Sequence, residues 1–236
     1  MTKNNLKYTS NIKYKTLRDL RIYTFDLPTK ALYPYDYQYA DIFRNLLNKN
    51  GLLCPNYDHI FIQISETNYN PFPQQKWSSN VYVPIDYKAY QSNTESQKEQ
   101  IVFNSIVSGL RNLASKDKLD QNIIEKTILE ISKLGLDTEL EFKTIENKKY
   151  TLKVTYFSKP METLNPVSIE LLDKETSFSR KKEIGKVDQL QIFQWLRKIT
   201  LTNSKIKINS SNSIWANVIL KDIPRYIEYD ICEFLK

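Results

Sequence analysis

The spacing of apolar side chains along the chain changes from every second residue to every third or fourth, and each change marks an element. Val81, Val83 and Ile85 alternate with Tyr82 and Pro84 in NVYVPID, the period of a strand, and Pro84 places that strand at an edge or at its own end. From Glu99 the period lengthens. Val102, Phe103, Ile106, Leu110 and Leu113 share one side of a helix, opened by a capping box in which Thr94 and Gln97 each satisfy a backbone N–H. A second helix follows at once, with Asp120 as its N-cap and Leu119 stapled onto Ile124. Its stripe is Ile123, Ile124, Ile128, Ile131 and Leu134, and Gly135 is its stop. The stretch from Asn80 to Gly135 is read as a core on which the rest of the chain is organised.

Upstream, residues 12–17 and 20–25 read as two short strands broken at Arg18 and Asp19, and Pro28 stops the second. Tyr39, Ile42, Phe43, Leu46 and Leu47 form an amphipathic helix with Asp36 as cap and Gly51 as stop. In DHIFIQIS, Ile60, Ile62 and Ile64 alternate with Phe61 and Gln63 as a strand should. A polar loop, TNYNPFPQQKWSSN, then carries Pro71, Pro73 and Trp77.

Downstream, Leu140 and Phe142 alternate with Glu139 and Glu141, and Tyr150, Leu152, Val154 and Tyr156 alternate with Thr151, Lys153 and Thr155. The polar Glu146-Asn147-Lys148 between them predicts a hairpin, and Val167, Ile169 and Leu171 supply a further strand. Residues 187–202 carry both periods and are read as a helix. Ile206 and Ile208, then Ile214, Ala216, Val218 and Leu220, read as a final hairpin turning at 209–213, and 225–235 as a short amphipathic helix. This order predicts an α+β fold: a largely antiparallel sheet packed against the helical hairpin and additional helices, rather than alternating βαβ units. A loose boundary is expected near Asp137. It would separate 1–136, with the helical hairpin, from a mainly β segment at 137–236, which is either a second domain or part of the same one.

Composition narrows the function classes. Four glycines in 236 residues argue against a phosphate-cradling loop, which needs several close together. Cys54 and Cys232 stand in no metal or redox spacing, so reduced structural thiols and a cytoplasmic setting are expected. No run of about 18 apolar residues is present, so no membrane partner is expected. The formal charge of +7 fits either nucleic acid or an acidic protein partner. The lysines are scattered, with one dense patch in SRKKEIGK at 179–186, which favours the protein partner.

Candidate chemistry is sparse. Glu139, Glu141 and Lys143, set on one strand face by simple alternation, are similar to the E-x-K of PD-(D/E)xK nucleases, where carboxylates hold Mg²⁺ and a lysine polarises water. No upstream strand supplies their aspartate. Ser179 and Lys182 match S-x-x-K without its companion motifs. His59 is the chain's one histidine, and a serine triad would have to use it as base, but no G-x-S-x-G elbow presents a serine. No cofactor or metal is expected. These absences favour binding over catalysis.

The run VYVPIDYKAYQSNTESQKEQIVFNSIVSGLRNLASKDKLDQNIIEKTILEI, with KIKINSSNSIWANV later, resembles small bacterial immunity proteins of polymorphic toxin systems. The likeness is carried by Ile85-Asp86-Tyr87 closing a strand, Lys98, Gly109-Leu110 and Leu119-Asp120, about a quarter of the chain. The resemblance implies stoichiometric occlusion of a cognate toxin, here an acidic one given the chain's basic charge. It carries over no functional residues. Tyr33, Tyr35 and Tyr37, which fall off the helical stripe, are read with Trp77, Arg180 and Lys182 as the candidate partner-binding face, aromatic anchors beside steering charges. The alternatives are a metal-dependent nuclease using Glu139, Glu141 and Lys143, and a basic nucleic-acid-binding protein.

Overall fold

A computed structural model describes residues 12–68, 75–160 and 163–236 in two compact units, one ending at Lys133 and the other beginning at Leu134. Readings made above for Pro71 and Pro73 lie outside the described residues. The described residues form seven α-helices and twelve strands, an α+β fold as expected.

In the first unit the two opening strands go to different sheets. β1 (Tyr14–Thr16) and β2 (Asp19–Tyr23) precede helix α1 (Tyr35–Lys49), which ends at Asn50 and Gly51, the glycine at φ +87°. Asp36 is not the cap of this helix: Pro34 holds that position, and the Asp36 carboxylate accepts from the Tyr37 N–H within the first turn. β3 (Leu53–Pro55) pairs antiparallel with β1, while β4 (His59–Ser65) lies parallel to β2 and β5 (Ser78–Pro84) parallel to β4.

Three of the four sheets are antiparallel, but this one, ordered β2-β4-β5, is parallel. The α+β reading without alternating βαβ units holds, but it did not foresee one parallel sheet. The amphipathic α1 lies between β2 and β4 in the chain and packs on β2, so the first unit contains a helical crossover between parallel strands.

A short helix α2 (Tyr87–Gln91), capped by Asp86, leads to α3 (Glu95–Asp117), which opens with the expected Thr94/Gln97 capping box. Lys118, in the left-handed region at φ 57°, reverses the chain into α4 (Gln121–Leu134), whose first N–H groups donate to Asp120. Arg111 on α3 donates through two nitrogens to the Glu125 carboxylate on α4, each at 2.7 Å. Helices α1 and α3 pack on the sheet face that carries Leu20, Ile60, Ile62, Ile64 and Val83, all buried. The approach of α3 is close. A methyl group added at Gly109 would stand 2.8 Å from Cγ2 of Ile62, so only glycine lets the helix lie this near β4.

In the second unit, β6 (Glu139–Glu146), β7 (Tyr150–Phe157), β8 (Asn165–Asp173) and β9 (Ser179–Val187) form an antiparallel sheet in sequence order. The basic patch at 179–186 lies on strand β9, at the edge of that sheet. The segment read as one helix at 187–202 divides. Asp188 and Gln191 make a capping box for α5 (Gln189–Trp195), and β10 (Lys198–Leu201) follows and pairs with β11 (Lys205–Asn209).

The expected last strand at 214–220 is instead α6 (Ile214–Ile219), capped by the Ser213 hydroxyl. Ile214 and Val218 are 85% and 62% exposed, while Ala216 and Leu220, four residues apart, are buried, so the apparent alternation was a helical spacing. Residues 225–235 are not one helix: β12 (Tyr226–Asp230) pairs with β11, and Asp230 caps α7 (Ile231–Leu235). Trp195, buried, donates from Nε1 to the Pro224 carbonyl at 2.9 Å and seats its ring where any side chain at Gly185 would be.

Two measurements check these contacts. Gly109→Ala is expected to destabilise the chain by about 1–3 kcal/mol in denaturant unfolding, despite alanine's better helix propensity. Glu228 on β12 accepts from Lys205, Tyr226 and Lys207, which pushes its carboxyl down to about 2. A lowered carboxyl stabilises above its unfolded value and loses that contribution as pH falls toward the folded one. The thermal midpoint should therefore fall between about pH 4.5 and 2 in the native chain, and fall less steeply over that range in Glu228→Gln.

Candidate functional site

The face of the parallel sheet opposite α1 and α3 carries a half-open cavity of about 360 Å³. Register builds it in rows. Arg21, Phe61 and Asn80 stand side by side on β2, β4 and β5. Tyr23, Gln63 and Tyr82 form the next row, and His59 and Ser78 the row before. Because strand side chains alternate, Leu20, Ile60, Ile62 and Val83 belong to the helix-packed face, while Val81 on β5 also reaches the cavity lining.

Trp77 closes one side, with its ring edge-on to His59 at 4.7 Å and to Phe61 at 5.8 Å. Tyr23 and Phe25 stack at 5.0 Å on the other. Asn68 and Gln75 complete the lining. The rim after β4 is pinned by Asp26, whose carboxylate accepts from the Thr67 N–H at 2.6 Å and its hydroxyl at 2.7 Å. Burial alone would raise the Asp26 carboxyl, but these bonds outweigh it and hold it below its ordinary value.

Two polar atoms in the lining make no hydrogen bond: the hydroxyl of Ser78, a residue 4% exposed, and Oδ1 of Asn80. Leaving such atoms shielded and unpaired costs free energy, and they stand beside the aromatic walls. The charged group, Arg21, donates from Nε to Asp19 at 2.6 Å and is neutralised by it. His59 bonds through Nδ1 to Asp58 at 2.6 Å, and this bond is the leading cause of a lowered Asp58 carboxyl. With Nδ1 donating, a neutral imidazole keeps Nε2 as an acceptor.

Asp58, His59 and Ser78 are thus neighbours, which sequence spacing did not suggest. The Ser78 hydroxyl makes no bond to the imidazole, however, so the three are not arranged as a nucleophile with its base. The Cys54 thiol is not a nucleophile either, since burial, followed by the charges of Asp117 and Asp58, pushes it up to about 12.

Of the sequence-derived candidates, Trp77 lies in the cavity and is 44% exposed. Tyr33, Tyr35 and Tyr37 are half-buried at the start of α1. The Tyr35 hydroxyl donates to Glu95 at 2.9 Å, its own pKa pushed up to about 12 by burial and then by Glu95, and Lys30 sits 5.0 Å over the Tyr33 ring. Arg180 and Lys182 belong to the second unit, on β9, where the Lys182 ammonium lies 4.7 Å over the Tyr229 ring.

The E-x-K reading changes as well. A bulge between Glu141 and Lys143 pairs Glu139 and Glu141 with Phe157 and Thr155, but Lys143 with Val154, so the lysine falls on the opposite face from the carboxylates. Glu139 accepts from Thr155 and Lys181. Although its burial acts to raise it, these bonds hold the carboxyl below its ordinary value. Among the described residues no three His, Cys, Asp or Glu side chains are grouped to hold a metal ion. Ser179 and Lys182, three apart on a strand, face opposite ways.

Sequence reasoning passed over Arg21, Tyr23, Phe61, Ser78, Asn80 and Tyr82. The available signal was the second set of alternating positions in each strand, His-Phe-Gln in β4 and Ser-Asn-Tyr in β5, which holds rings and amides where solvent-facing strands hold charge.

Among the described residues no helix is long and apolar enough to cross a membrane. Comparison of the chain with known protein families, with curated proteins and with solved structures gives no match.

Asp26→Ala is expected to release the cavity rim. Hydrogen exchange at the Thr67 amide should speed up by about tenfold or more at neutral pH, while amides of β4 keep their protection.

Proposed function

We propose that this chain is a non-enzymatic binding protein whose recognition surface is the cavity-bearing face of the parallel sheet, and that it acts as an immunity-type inhibitor of a cognate protein toxin. The observation that carries the first part is Trp77, 44% exposed at the edge of a preformed aromatic cavity. A large, rigid, part-exposed ring next to a pocket has the composition of a binding hot spot, and it costs little rotamer entropy to use. The partner class rests on the immunity-protein resemblance. The net charge of +7 favours an acidic toxin, with Arg180 and Lys182 adding steering charge from the second unit. Local contacts engage the Tyr35 hydroxyl and the Tyr33 ring, so this reading rests on Trp77 rather than on the tyrosines at the start of α1.

The test is coexpression with the product of the gene next to this one, followed by calorimetry and a toxicity assay. Binding and protection are expected, with Trp77→Ala weakening affinity by about tenfold or more, a typical loss for a hot-spot aromatic. Failure of the native chain to bind, or to protect against, any product encoded beside it would remove the inhibitor reading.

A further inference from the structure

The cavity is more specific than an apolar hollow for a side chain. We infer that it takes a nucleobase, presented by a free nucleoside or by a single strand. This goes beyond the inhibitor reading and shares only the cavity face with it.

Three observations converge. The lining is made of rings: Phe61 on the central strand, with Tyr23 and Trp77 each meeting it near a right angle. Flat walls of this kind accept a flat guest, and bases stack on them whatever their sequence.

The second observation is the amides and the unpaired atoms. Asn68 and Asn80 line the cavity beside Gln63 and Gln75, and an amide can present a donor and an acceptor side by side, the pattern a base displays along its edge, although the Gln63 nitrogen already donates to Ser65 and Thr67. Ser78 Oγ and Asn80 Oδ1 are buried with no bond, on neighbouring inward positions of β5. A phenyl ring would leave both unpaired. A ring bearing an amino group satisfies an acceptor there, and a site built with hydrogen-bonding groups rejects the analogue that lacks them.

The third is charge. Arg21, paired with Asp19, leaves no excess positive charge at the cavity, so the recognised group is neutral, which fits a base and not a phosphate. The volume of about 360 Å³ lies near the small end of ligand cavities, enough for one base and its sugar.

The chain provides its own probe. His59 is the single histidine and lies in the lining, so its ring protons give one isolated NMR signal set at the site. The full chain is titrated with adenosine, with purine riboside, which lacks the 6-amino group, with N-acetylphenylalaninamide, and with a short single-stranded RNA.

The expected result is a saturable shift of the His59 signals by adenosine, with a Kd of about 1 mM or tighter, nearly unchanged as salt rises. Purine riboside should bind about tenfold more weakly. Trp77→Ala should weaken adenosine about tenfold, with native dispersion of the remaining signals showing that it folds. Ser78→Ala should also weaken adenosine, yet leave the thermal midpoint unchanged or raised, because it removes a hydroxyl that is unpaired in the free protein. RNA binding more tightly than adenosine, and lost with Trp77→Ala, assigns the base to a strand. Equal or weaker RNA binding assigns it to the free nucleoside.

The inference is overturned if adenosine leaves His59 unmoved, if N-acetylphenylalaninamide binds as well as adenosine, or if RNA binds with steep salt dependence that Trp77→Ala does not alter. Since the inhibitor reading is tested by the neighbouring gene product, a chain that binds that product but no base loses this inference alone, and the reverse outcome loses the inhibitor reading alone.

Discussion

Everything in the first unit depends on how closely α3 can lie against β4. The glycine in the middle of that helix makes contact with Ile62 where a methyl group would collide, and this single approach brings the helix flush onto one face of the sheet. With that face filled by Leu20, Ile60, Ile62, Ile64 and Val83, the apolar demand of three parallel strands is met from one side. Parallel sheets are ordinarily covered on both sides by their crossover helices. Here the second set of strand positions carries rings and amides around a hollow.

The reactive-looking groups described above are engaged in local contacts or stand on opposite sides of a strand. The Glu139 carboxylate is committed to Thr155 and Lys181, and the bulge before Lys143 turns the lysine away from it. Asp58 holds the imidazole of His59, but the adjacent serine hydroxyl is not engaged by it. What remains unpaired at the cavity is the Ser78 hydroxyl and Asn80 Oδ1.

How much of this was legible varied with how local the cause was. The capping box at Thr94, the cap at Asp120 and the stop at Gly135 are satisfied within a few residues, so the helical pair could be read almost to its ends. Parallel pairing could not be read, since Ile60, Ile62 and Ile64 alternate in the same way whichever direction the neighbouring strand runs. At 214–220 the apolar residues fit two periods at once, and the choice was made by Ser213 capping a helix and by Arg225 reaching the Ala216 and Ser211 carbonyls at 2.7 and 2.6 Å. The cavity was least legible because its residues come from three separated strands and are joined by register alone. Trp77 was noticed as an aromatic in a polar loop, but its neighbours His59 and Phe61 were not linked to it.

Strand β9 closes the four-stranded sheet with Ser179, Arg180, Lys181, Lys182 and Glu183, all exposed. Its outer row of backbone groups would otherwise invite another strand to zip on. Two copies docking there side by side would have to press like-signed ammonium and guanidinium groups together and strip their hydration. The sheet is therefore kept from growing by self-pairing at this border.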